Sequence, residues 1–166
     1  MNNTEVPVLI VGAGPVGLSA AMALVRLGIT VLVVEKHPGL SMHPKARGVN
    51  IRTMELMRLW GVESAIMRHE LPDAAKRFIW AYDFQDEHFI SIDKAKEETK
   101  YTPTTSALVS QDWVEKELLD ALEQYPHFQF MFSTELVDIE HNTNGVLATL
   151  KHRTADSEQQ VFADYM

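Results

Sequence analysis

The chain has 166 residues, 46% of them hydrophobic, with a formal net charge of −8 and no cysteine. This is the length of one ordinary domain with enough apolar content to form a core. The acidic balance argues against nucleic acid or an anionic membrane surface as partner, and the lack of cysteine excludes disulfides, thiolate catalysis and Cys-ligated zinc or iron–sulfur centres. The amino end carries an acid and no basic segment ahead of its first apolar run, so no signal peptide, no membrane span and a cytoplasmic location are expected.

Residues 6–11 form a short, nearly unbroken apolar segment, the pattern of a parallel strand covered on both faces. Behind it come Gly12-Ala-Gly-Pro-Val-Gly17, an apolar helical stretch closed by Gly28, a second apolar run over 29–34, and Glu35. Strand, glycine turn, helix, strand and terminal acid stand in register for a dinucleotide-binding βαβ unit. Gly12 permits the sharp turn, Gly14 lets the backbone approach a diphosphate, and Gly17 lets the helix pack closely on the sheet. Pro15 suits the first helical turn, and Val16, Ala20, Leu24 and Leu27 mark the face expected to be buried. Glu35, 18 residues beyond Gly17, is placed to accept hydrogen bonds from a ribose diol. An acid there disfavours a 2′-phosphate, so NADP is not the expected tightly held ligand. The fingerprint alone leaves FAD and NAD both open.

A polar loop over 37–47 follows, then a helix in which Ile51, Met54, Met57 and the Leu59-Trp60 pair recur at helical spacing before Gly61. The methionines on that face are read as core. Residues 63–70 are expected to add a short helix. Phe78, Ile79, Trp80, Tyr82 and Phe84 make an aromatic strand, 85–87 a turn and 88–92 a return strand, each aromatic being read as packing on a small sheet. A charged connector over 94–101 leads to a helix beginning near Gln111. There Asp112 and Glu115 have the spacing of a capping box, and Val114, Leu118 and Leu122 form the buried stripe. Residues 128–132 read as a parallel strand. A meander follows, with strands over 134–140, 146–152 and from 159 onward. The seven histidines, at 37, 43, 69, 88, 127, 141 and 152, lack the pairing of metal ligands, so no metal site is expected. Neither a nucleophile elbow nor a lysine-bearing phosphate loop occurs, and no residue is nominated as catalytic acid, base or nucleophile.

Three blocks resemble the FAD-dependent aromatic hydroxylases of the para-hydroxybenzoate hydroxylase type, the class A flavoprotein monooxygenases. They are Val11-Gly-Ala-Gly-Pro-Val-Gly17 with Glu35-Lys36, the stretch from His43-Pro-Lys-Ala-Arg47 to Leu59-Trp-Gly61, and Val109-Ser-Gln-Asp-Trp-Val-Glu115. The second block favours FAD over NAD. The resemblance implies an α/β, Rossmann-like FAD-binding fold with a parallel sheet, a β-meander and a short aromatic hairpin from the substrate domain. Residues 1–70 and 101–166 would form an incomplete FAD-binding domain, and 71–100 an excursion belonging to the substrate-domain sheet. It further implies that Gly12, Gly14, Pro15, Val16 and Gly17 surround the FAD diphosphate, that Glu35 holds the adenosine ribose, and that Arg47 and Gln111 reach the cofactor, with Lys36 and Arg52 as weaker candidate contacts. A guanidinium offers a charged fork to diphosphate oxygens, and an amide both donates and accepts along a polyol. Lys45 departs from the family, which often has Arg there. The family's later Asp-Gly and Gly-Asp blocks are missing, so the chain is expected to be the truncated N-terminal part of such an enzyme, inactive alone. The complete enzyme would use NADPH or NADH as transient reductant and O2 to hydroxylate a small aromatic substrate. Two other readings remain: a non-catalytic dinucleotide-binding or interaction module that self-associates through an exposed sheet edge, and an NAD-dependent module.

Overall fold

A computed structural model describes residues 4–43, 45–83, 85, 87, 90–93 and 101–166. The chain divides into two compact units, residues 1–44 with 114–166, and residues 45–113.

The first unit is built on a six-stranded sheet. Its strands are β1 (Thr4–Val11), β2 (Val31–Val34), and then β5 (Phe128–Met131), β6 (Thr134–Asn142), β7 (Gly145–His152) and β8 (Ser157–Tyr165), while β3 and β4 belong to the second unit. Their order is β5-β2-β1-β8-β7-β6. β5, β2, β1 and β8 run parallel, and β6, β7 and β8 form the antiparallel meander. β2 is Val-Leu-Val-Val with all four residues buried, as a central parallel strand requires. Val6, Leu9, Leu32 and Val34 from the parallel strands pack with Ala148, Leu150, Val161 and Ala163 of the meander in one core cluster. Val8 pairs with Val31 on one side of β1 and Tyr165 on the other.

Helix α1 (Pro15–Val25) buries Leu18, Ala21, Met22 and Val25. This corrects the expected stripe: Val16 and Leu27 are 82% and 76% exposed, and Ala20 is exposed too. The helix is apolar on every side, so spacing alone does not tell which stripe faces the sheet. Ala20 and Leu24 line, with Val8, Ile10, Tyr165 and Met166, an apolar cleft of about 790 Å³ beside β1.

The second unit holds α2 (Ile51–Trp60), α3 (Glu63–Met67), a 3-10 turn (Asp73–Ala75) and the antiparallel pair β3 (Arg77–Trp80) and β4 (Ile90–Asp93). Asn50 caps α2 by accepting from the Thr53 N–H at 2.8 Å, and Gly61 ends it in the left-handed region at φ 81°. Met54 and Met57 are buried, as their helical spacing predicts. The first strand of the hairpin ends at Trp80, earlier than expected, and Phe84, Asp86, His88, Phe89 and the 94–100 connector lie outside the described residues. Trp80 is 56% exposed and Tyr82 wholly so, so within this chain they do not pack as expected. Among the described residues no helix is long and apolar enough to cross a membrane.

Helix α4 (Gln111–Leu122) buries Val114, Leu118 and Leu122, together with Glu115 and Leu119. Its expected capping box is absent. The helix already starts at Gln111, Asp112 lies in its first turn with a hydrogen bond from the Ser110 hydroxyl, and Glu115 is buried along the helix.

Candidate cofactor site

β1 delivers the chain to Gly12, whose φ of 103° is closed to ordinary side chains. The Gly12 N–H donates to the Val34 carbonyl at 2.8 Å, which ties the glycine turn to the end of β2. A Cβ on Gly17 would run into the Gly12 carbonyl oxygen and lie 3.3 Å from the Ile10 side chain. Gly17 therefore permits the close approach of helix to turn that its position in the fingerprint predicts. Gly14 is different. Its backbone is extended at φ −74°, ψ 178°, and a Cβ there would meet nothing within 4 Å. Neither its conformation nor its packing requires glycine.

Gly14 is also the N-cap of α1, with no side-chain cap, Pro15 in the first turn and no acid there. No acid of the helix's own first turn offsets the partial positive charge of its terminus. Val16 is exposed beside it.

Glu35 follows β2, and its carboxylate folds back onto the glycine turn. Oε2 accepts from the Ala13 N–H at 2.9 Å, while Oε1 accepts from the His37 N–H at 2.9 Å and lies 2.7 Å from His37 Nδ1. The side chain is only 13% exposed. Burial pushes its pKa up, but hydrogen bonds from Ala13 and His37 outweigh this and hold it below the usual carboxylate range. The backbone is fixed as well: the Glu35 N–H donates to Met131, and the Glu35 and His37 carbonyls accept from Thr134 and Ser133, each at 2.9 Å. Lys36 is exposed, and its carbonyl accepts from Arg153 at 3.4 Å. Sequence spacing singled out Glu35 and Lys36 but missed His37. A histidine two residues past an acid at a strand end is the signal that would have found it.

The two stronger candidates that remain lie in the second unit. Arg47 is exposed, and Gln111 is half-buried as the first residue of α4. The Gln111 N–H donates to the Ala46 carbonyl at 2.9 Å, and Val49 and Ala107 exchange backbone hydrogen bonds at 2.8 and 2.9 Å. The 45–49 loop is thereby laced to the 107–111 segment, which brings the main chain beside Arg47 against Gln111, a pairing no spacing rule anticipates.

The family profile described as FAD binding domain matches residues 5–166. The chain belongs to the FAD-binding-domain family. It is 37% identical, over 98% of its own length, to a putative polyketide hydroxylase of Streptomyces coelicolor, of which it covers 26%. Among solved structures it is similar to the flavin-dependent monooxygenase PieE in complex with FAD and substrate, with a TM-score of 0.87, 29% identity and coverage of 99% of this chain and 30% of that one. A ternary complex of aklavinone-11 hydroxylase with FAD and aklavinone matches with a TM-score of 0.84 and 37% identity, over 99% of this chain and 32% of the other. The chain thus spans about a quarter to a third of the length of these relatives. The α/β fold with a mostly parallel sheet and meander is the fold of FAD-binding monooxygenases, as the sequence blocks lead one to expect.

Proposed function

We propose that this chain binds FAD and serves as the FAD-binding segment of a flavin-dependent monooxygenase that hydroxylates phenolic or aromatic substrates with NADPH or NADH and O2. In that assignment residues 1–70 with 101–166 form the incomplete FAD-binding domain, and 71–100 are an excursion belonging to the substrate-domain sheet. The observation that carries it is the pairing of Gly14 with Glu35. A glycine that the fold itself does not need opens the helix, and an anionic, shielded carboxylate is fastened to the same turn 2.9 Å from the Ala13 amide.

The residues present fit the cofactor. Gly12, Gly14, Pro15, Val16 and Gly17 would hold the diphosphate at the uncapped end of α1, where backbone N–H groups and the helix dipole favour negative charge. Glu35 would accept from the adenosine ribose, with Lys36 beside it. Arg47 would supply a charged fork and Gln111 an amide that donates and accepts along the polyol. When bound, FAD supplies the redox and oxygen chemistry, and the protein supplies position and electrostatics. No residue of this chain is assigned a proton transfer.

Equilibrating the purified chain with FAD and, separately, with NAD tests the assignment. The flavin spectrum should co-elute with the protein, flavin fluorescence should be quenched, and calorimetry should register FAD and not NAD. A colourless chain that leaves flavin fluorescence unchanged would overturn it.

A further inference from the structure

We infer that His37 is a positioning residue for Glu35 and thereby sets how tightly this chain holds the adenosine end of FAD, an inference that rests on the FAD assignment above. A carboxylate offers about four acceptor positions on its two oxygens. Three are engaged here: Ala13 N–H on Oε2, and His37 N–H with the His37 ring on Oε1. Oε2, with Ala13 as its donor, keeps a position for a ribose hydroxyl, and Oε1 is the oxygen that the histidine holds still.

The terminal torsion of a glutamate is broad, so a carboxylate fixed by main-chain donors alone still rocks about it. The ring contact at 2.7 Å adds a third restraint before the ligand arrives, which lowers the ordering cost of binding. The histidine is itself anchored, because its carbonyl accepts from Ser133 at 2.9 Å. Ser133 sits in the left-handed region at φ 51°, so the turn that carries this anchor is a strained one. The His37 side chain is 61% exposed against 13% for Glu35. It fills no core space, and trimming it removes the contact to Oε1 without opening a cavity. A role in packing is therefore not what the ring performs.

FAD and FMN affinities of the chain, measured by fluorescence quenching for the unsubstituted protein and for His37→Ala, His37→Asn and Glu35→Gln, test the inference. FMN lacks the adenylate half of FAD, ribose included, so its affinity cannot depend on the Glu35 contact. His37→Ala is expected to weaken FAD by about three- to tenfold, the range for an orienting hydrogen bond to a charged group whose donor is partly in water. His37→Asn, which places an amide N–H near the position of Nδ1, should restore affinity to within about twofold. FMN affinity should be unchanged in both. An unaltered FAD affinity in His37→Ala, or an equal loss of FAD and FMN, would overturn the inference while leaving the ribose role of Glu35 standing. If Glu35→Gln also binds FAD normally, or the unsubstituted chain binds no FAD, it is the cofactor assignment that falls, and the role of His37 with it.

Discussion

Two glycines three residues apart answer to different constraints, and substitution separates them. Gly17 is needed by the fold: a methyl group there meets the Gly12 carbonyl oxygen and the Ile10 side chain. Gly17→Ala should cost at least about 2 kcal/mol of stability in a denaturant titration, since backbone cannot yield as a flexible side chain can. Gly14→Ala meets nothing and should melt within about 0.5 kcal/mol of the parent. Glu35 adds a pH dependence of known sign. Its folded-state pKa lies below its ordinary value of 4.5, so its contribution is fully present above that value and is lost as pH falls through the folded pKa. The stability gap between the parent and Glu35→Gln should accordingly close on acidification below pH 4.5, and a gap that widens there would contradict the assignment of its hydrogen bonds. At this scale the sequence was most informative about Gly12, Gly17 and Glu35, because each is fixed by local chain geometry. His37 was overlooked: its place two residues past the acid is visible in the sequence, but its backbone anchor to Ser133 is a tertiary contact.

Among the elements, those with an explicit punctuation were legible. Gly61 marked the end of α2 and sits in the left-handed region there, whereas Asn50, the side-chain acceptor at the other end, was not singled out. Asn50→Ala should cost about 1 kcal/mol, read as a lower midpoint at unchanged slope in urea. Helix α1 was legible as a helix but not in its orientation. With apolar residues on both sides, burial is decided by which face the sheet meets, a tertiary matter that periodicity does not encode. The cap of α4 misled for a related reason: Asp112 with Glu115 matches a capping box, yet Ser110 precedes the helix and Glu115 is turned into the interior. The meander, in which Asn142 to Gly145 makes the turn between its first two strands, was legible from its strand spacing. Its junction with the parallel sheet was not, because Thr4 pairs with Val161 across nearly the whole chain.

For the molecule as a whole, the apolar cleft beside β1 and the exposed Tyr165 and Met166 leave hydrocarbon in water. The chain taken alone should therefore melt at modest temperature and gain from ligand. FAD at a hundred times its Kd should add about 2.7 kcal/mol, or about 5–10 °C in Tm, by mass action. An unchanged Tm under saturating FAD would contradict binding to the folded state. The most direct test of the cofactor site is the FAD affinity of Gly14→Ala, measured alongside its thermal melt. A methyl group at Gly14 meets nothing within 4 Å, and in the proposed site it would stand where the diphosphate approaches, so the variant should fold like the parent and bind FAD at least about tenfold more weakly. Parental FAD affinity in a normally folded Gly14→Ala chain would show that the glycine turn does not hold the cofactor.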